Sequence, residues 1–164
     1  MRARLFASDK HRGQLRKYTH EPYICHPAEV ADIVREVPHS QEMLAAAWLH
    51  DTIEDCGVSD AQIFNQFGSE VYFMVAKLTN TSRPEDGNRA KRKAKDLEWI
   101  QTGSPHAKTV KLADLISNTA SIVTYDPKFA AVYLTEKRAL LGVLTEGDPN
   151  LWTRADEICK RAGY

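Results

Sequence analysis

The sequence predicts an all-α fold, and three observations predict it. Apolar residues recur at helical spacing in successive segments: Val30, Ile33, Val34 and Val37, then Met43, Ala46 and Ala47, then Val71, Met74, Val75 and Leu78. No segment alternates apolar and polar residues with the period of two that a half-buried strand needs. The seven prolines and eight glycines mostly fall where helices should begin or end.

Each element follows from its own residues. Arg2 to Gly13 reads as a first helix, with Leu5 and Phe6 expected to face inward. Gln14 to Cys25 is a polar loop. Pro27 suits a first helical position, where its fixed φ and missing N–H cost nothing, and Pro38 stops the helix that follows. Ser40 can cap the next helix, which carries Met43, Ala46, Ala47 and Trp48 and runs into His50-Asp51. Gly57 closes that segment. Ser59 with Gln62 three residues later is a capping-box signature, opening a short helix that ends at Gly68, a candidate left-handed cap. Ser69 starts another helix, and Thr79 to Asn88 is a polar loop. Arg89 to Gln101 is a charged helix closed by Gly103. Ser104-Pro105, Asp126-Pro127 and Asp148-Pro149 each start a helix.

The 164 residues and 18.5 kDa predict one domain over residues 1–164. Apolar residues are 43% and charged residues 27%, ordinary globular values that exclude disorder. Twenty-two basic and 22 acidic side chains cancel, which argues against a nucleic-acid coat protein. The longest clean apolar run, Met43 to Leu49, falls far short of the ~18 residues of a membrane span. No apolar block follows Arg2 and Arg4, so no secretory signal is expected. Three cysteines (Cys25, Cys56, Cys159) without paired spacing fit a reducing cytoplasm and small packed thiols rather than a disulfide framework or a zinc knot. The sequence is compatible with a monomer or an oligomer.

Charge is unevenly placed. Gln41 to Ala76 contains no Lys or Arg but carries Glu42, Asp51, Glu54, Asp55, Asp60 and Glu70. The flanks are basic: Arg2, Arg4, Lys10, Arg12, Arg16 and Lys17 on one side, Arg83, Arg89, Lys91, Arg92, Lys93 and Lys95 on the other. Most such residues are solvated helix faces. An acidic centre that attracts a cation, bordered by bases that hold an anion, is also what a phosphate ester on a divalent metal requires.

Some residues are hard to explain as packing. A lone His50-Asp51 after apolar residues reads as a core histidine, but Glu54 and Asp55 follow it one turn later. If the helix continues, His50 shares a face with Glu54 and Asp51 with Asp55. Three carboxylates and an imidazole within two turns repel unless a cation or a water network compensates. Asp114 stands between Ala113 and Leu115 on an otherwise apolar helix. Lys111 and Asn118 lie on its strip, and simple pairing of Lys111 with Asp114 is the plain reading. His26 precedes a proline at a helix start, as a capping histidine would. Together His26, His50, Asp51 and Asp114 form a mixed N/O set suited to a divalent metal. Its imidazole content favours manganese or iron over magnesium or structural zinc.

With these residues in view, the sequence resembles the HD-domain phosphohydrolases. It is closer still to the hydrolase domain of the RelA/SpoT alarmone enzymes and to the stand-alone small alarmone hydrolases. The carrying segments are Lys10-His11-Arg12-Gly13-Gln14-Leu15-Arg16-Lys17, Glu21-Pro22-Tyr23-Ile24-Cys25-His26-Pro27, Leu49-His50-Asp51-Thr52-Ile53-Glu54-Asp55, Phe67-Gly68 with Val71, and Val110-Lys111-Leu112-Ala113-Asp114 with Asn118. The resemblance implies an all-α HD fold and hydrolysis of the 3′-pyrophosphate of guanosine tetra- or pentaphosphate, usually with Mn²⁺. It implies His26, His50, Asp51 and Asp114 as metal ligands, and Glu54 and Asp55 as the pair that positions or deprotonates the attacking water. Arg16, Lys17, Asn118 and Lys111 would contact the nucleotide, with Lys91, Arg92 and Lys93 as phosphate candidates. Beyond Ala120 the match fades, and Tyr125 to Gly142 is expected to close one side of the pocket. With nothing after residue 164, a free-standing hydrolase with a small-molecule nucleotide substrate is expected. The rival readings are an HD phosphohydrolase on an adenosine alarmone or the 2′-phosphate of NADPH, and a non-catalytic nucleotide binder.

Overall fold

In the computed structural model, which describes residues 2–161, the punctuation of the sequence becomes ten α-helices and one 3₁₀ turn. They are α1 (Arg2–Lys10), α2 (Cys25–Arg35), α3 (Gln41–Leu49), α4 (Thr52–Cys56), α5 (Asp60–Phe67), α6 (Ser69–Leu78), the 3₁₀ turn Pro84–Asp86, α7 (Arg89–Gln101), α8 (Pro105–Tyr125), α9 (Pro127–Val143) and α10 (Pro149–Arg161). The all-α expectation holds among the described residues. One isolated antiparallel bridge, Leu15 to Pro22, ties off the loop between α1 and α2.

The helix starts are capped as their residues demand. Ser40, Ser59, Asn88, Ser104 and Asp126 each accept from the backbone N–H three residues on. The Ser59–Gln62 box is complete, with Gln62 Oε1 accepting from the Ser59 N–H at 2.9 Å. Each cap is worth about 1 kcal/mol. Gly57 ends α4 in the left-handed region at φ 65° and ψ 23°. Gly68, between α5 and α6, has φ 88° but ψ 170°. That is an extended left-handed geometry open essentially to glycine alone, rather than the helical cap expected.

Helix α8 is the axis of the fold. Its first four turns are buried nearly all round, with Val110, Leu112, Ala113, Leu115 and Ile116 packed inside together with Lys108, Thr109 and Asp114. α2, α3, α6, α9 and α10 pack around it. The predicted inward residues of α2, α3 and α6 are buried as expected. Three details differ. α1 ends at Lys10 rather than Gly13. Leu5 is 62% exposed, and α1 buries Ala3 and Ala7 while Phe6 packs partly buried against the core, because small side chains let the helix lie close against α3. Pro27 is the third residue of α2, which begins at Cys25. No described helix is long and apolar enough to cross a membrane.

Candidate active site

α3 does not run through His50-Asp51. It stops at Leu49, His50 caps it, and α4 begins at Thr52, whose hydroxyl donates to the Leu49 carbonyl at 2.7 Å. The break brings neighbours in sequence to one point: His50 Nε2 lies 3.0 Å from Asp51 Oδ2. α2 delivers His26 there, its Nε2 3.3 Å from His50 Nε2 and 3.6 Å from Asp51 Oδ2. α8 delivers Asp114, its Oδ1 3.2 Å from His26 Nε2 and 3.8 Å from His50 Nε2. The ligand atoms of His26, His50 and Asp51 all lie within 4.8 Å of one another.

Each group is oriented by a contact with a residue outside the four. His50 Nδ1 lies 2.8 Å from the Ala47 carbonyl, which can only accept, so Nδ1 carries the proton and Nε2 faces the cluster. His26 Nδ1 is 2.9 Å from Ser117 Oγ. Asp114 accepts from Lys111 Nζ at 2.8 Å and from Asn118 Nδ2 at 2.6 Å. The plain Lys111–Asp114 pairing is therefore real, and it also orients the carboxylate. Asp51 accepts from the Tyr23 hydroxyl at 2.6 Å. Burial, then the Asp51 charge, push the Tyr23 pKa up, so it stays a donor. Two carboxylates and two imidazole nitrogens thus converge, the carboxylates held by Tyr23, Lys111 and Asn118 and the imidazoles by their Nδ1 contacts. Such a donor set fits a divalent cation.

The electrostatics agree. Burial pulls the His50 imidazole down, but Asp51 and then Asp114 outweigh it and raise it to about 9. Burial opposes ionisation of Asp51 and Asp114. His50 overcomes it for Asp51, and Lys111 followed by the two histidines for Asp114, so both sit below the ordinary carboxylate range. The sign for stability follows. A histidine raised above its unfolded value of 6.5 stabilises the metal-free fold fully below that pH and loses this as pH rises through about 9. The metal-free melting temperature is expected to fall across that window, while affinity for a divalent metal rises because binding displaces the proton. Melts at several pH values, paired with metal titrations, check both signs.

Glu54 and Asp55 stand on the single turn of α4. The Asp55 N–H bonds the Asp51 carbonyl at 2.8 Å, so that pair keeps its helical register across the break. Glu54 accepts from the Asn80 N–H at 3.2 Å and the Asn80 side-chain amide at 3.0 Å. Asp55 accepts from Gln14 Nε2 at 3.0 Å.

Both carboxylates, with Asp51 and Asp114, open on a cavity of about 780 Å³ between α6, α7, α8 and α9. Lys93, Lys111 and Asn118 are also in its wall. Arg16, Lys17, Lys91 and Arg92 are not. Arg16 turns inward to Ser121 and Glu29, and Lys17 lies against Tyr18. Lys91 caps under Asn88 and packs where a Gly87 side chain would go, while Arg92 Nε is buried on α7 without a hydrogen-bond partner.

As expected of the segment after Tyr125, α9 closes one side of the cavity. It contributes Phe129, Tyr133 and Lys137, a residue sequence reasoning missed. Burial, then Lys111, lower the Lys137 ammonium to about 8 against the pull of Asp114 and Glu136. Its signal was present: Lys137 continues the inward stripe of Ala130, Tyr133, Leu134 and Leu141. Tyr23, Gln14 and Asn80 were also missed as partners. Tyr23 and Gln14 lie inside quoted motif segments, whereas Asn80, in a polar loop, had no local signal.

The HD-domain family matches residues 3–125. The human guanosine-3′,5′-bis(diphosphate) 3′-pyrophosphohydrolase MESH1 is 35% identical over 126 residues, 75% of this chain and 69% of that protein. A probable 3′-pyrophosphohydrolase of the same type from Synechocystis is 33% identical over 130 residues, 77% of this chain but 17% of that longer protein. A solved metazoan SpoT ortholog, described as hydrolysing ppGpp, superposes with a TM-score of 0.87 at 28% identity, covering 99% of this chain and 94% of that one.

Proposed function

The chain belongs to the HD-domain family, beside MESH1 and the SpoT hydrolase domain, and from that premise we propose that it hydrolyses the 3′-pyrophosphate of guanosine tetra- or pentaphosphate. Water adds to the phosphorus bonded to O3′, the P–O3′ bond breaks, and a proton ends on O3′. The products are GDP or GTP and pyrophosphate. One observation carries this reading above all: a single cavity wall combines Asp51, Asp114, Glu54 and Asp55 with Lys93, Lys111 and Lys137. Its volume of about 780 Å³ suits a nucleotide.

His26, His50, Asp51 and Asp114 would hold the cation, Mn²⁺ by preference. When bound, it supplies positive charge and Lewis acidity at the reacting phosphate. One of Glu54 and Asp55 takes the proton from the attacking water and the other orients it, the pair kept in place by Asn80 and Gln14. Lys111 and Asn118 hold the Asp114 carboxylate and, with Lys93 and Lys137, meet the phosphates. Three unpaired thiols support a reducing compartment, the cytoplasm.

The test is metal-stripped protein restored with Mn²⁺ and incubated separately with guanosine tetraphosphate, its adenosine counterpart and NADPH. Pyrophosphate from the guanosine substrate, released faster than from the adenosine one, is expected. Orthophosphate from NADPH alone would move the substrate class, and no product from any of them would leave a binding role.

A further inference from the structure

A polar chain runs from the protein surface to one of the four clustered groups. Glu29 lies on α2 one turn after His26, its side chain 50% exposed. Ser117 lies on α8 three residues after Asp114 and is 1% exposed. Ser117 Oγ is 2.7 Å from Glu29 Oε2 and 2.9 Å from His26 Nδ1. Arg16, from the loop between α1 and α2, places Nη1 3.7 Å from Glu29 Oε2 and donates through Nη2 to Ser121 Oγ at 3.3 Å. The Arg16 side chain is 12% exposed.

Ser117 has one hydroxyl hydrogen and two neighbours. An ionised Glu29 can only accept, so the hydrogen goes to Glu29. The serine oxygen must then accept from His26, which puts the imidazole proton on Nδ1. Nε2, 3.2 Å from Asp114 Oδ1, is left with the lone pair that a metal needs. Without the carboxylate, Ser117 could donate to Nδ1 and send the proton to Nε2, where it blocks coordination.

We propose that Glu29, acting through Ser117 and clamped by Arg16, is a positioning residue that sets the His26 tautomer for metal binding. This rests on the ligand set proposed above. It gives Arg16 a contact with Glu29 beside the nucleotide contact that the resemblance implies. Outer contacts of this kind are worth about 10–100-fold in metal affinity.

Glu29→Leu is the discriminating variant, because it removes the acceptor from Ser117, whereas a glutamine would keep an oxygen that accepts. In the full chain, Mn²⁺ titration calorimetry is expected to show affinity about tenfold weaker in Glu29→Leu and at least as weak in Ser117→Ala. As Glu29 is half exposed, the metal-free melting temperature of Glu29→Leu should stay within about 2 °C of the parent. Parental Mn²⁺ affinity in Glu29→Leu overturns the relay, as does a loss that Ser117→Ala does not share. His26→Ala separates the two levels. If it binds Mn²⁺ as the parent does, the ligand set itself is wrong. If it loses the metal while Glu29→Leu does not, only the relay fails.

Discussion

Asp114→Ala is expected to abolish metal binding and turnover together and to lower the metal-free melting temperature by roughly 6–12 °C. Asp114 is 4% exposed and is the acceptor for both Lys111 and Asn118. Its loss leaves a largely buried ammonium without a carboxylate and two imidazoles without their counter-charge. Breaking a buried pair on one side costs about 3 kcal/mol, and a chain of this size loses ~2–4 °C per kcal/mol. The parent should also gain stability when Mn²⁺ is added, by about 2.7 kcal/mol at a hundred times Kd, and the variant should gain none. Asp114→Asn keeps the shape and an oxygen for Lys111. It should recover part of the melting temperature while still failing to bind metal. Full activity in Asp114→Ala would remove it from the ligand set.

Glu54→Ala combined with Asp55→Ala should reduce turnover by about 10²–10⁴-fold and leave nucleotide binding within a few-fold. Both side chains are exposed at the cavity, so folding should be little affected. Calorimetry with a non-hydrolysable substrate analogue, beside a pyrophosphate-release assay, separates binding from chemistry. The single variants then rank the pair: the residue whose loss accounts for most of the defect is the proton acceptor, and the other orients it. A double variant that hydrolyses at the parental rate would show that neither carboxylate takes part.

Local physics explains why so much of the architecture was legible. A serine before an apolar periodic run has an N–H three residues ahead to satisfy, and Ser40, Ser59 and Ser104 all do so. The boundaries Arg89–Gln101 and Pro105–Tyr125 were readable because polar loop residues and Ser-Pro flank them. Leu5 was misread, though Phe6 beside it was not, because periodicity weighs Leu5 above Ala3 and Ala7 and cannot register how closely a neighbouring helix approaches. The break after Leu49 was equally hidden, since nothing in Leu-His-Asp-Thr forbids a continuous helix. What stabilises the break is the set of partners waiting in other elements: Tyr23 for Asp51, and His26 and Asp114 for His50.

By itself the sequence determined the helical class, the order and caps of the helices, and the presence of two histidines and four carboxylates too polar for their apolar surroundings. It also carried the resemblance that implies their chemistry, because motif order survives in the linear chain. Only the tertiary structure decided that α2, the α3–α4 break and α8 bring His26, His50, Asp51 and Asp114 to one point. It also decided that Lys137 enters the cavity while Arg16 turns away from it, and that Glu29 reaches His26 through Ser117. The physical reason is range. Caps and periodicity act within one turn, whereas the aim of a buried side chain is set by partners far along the chain, as Ser117 lies 91 residues from His26.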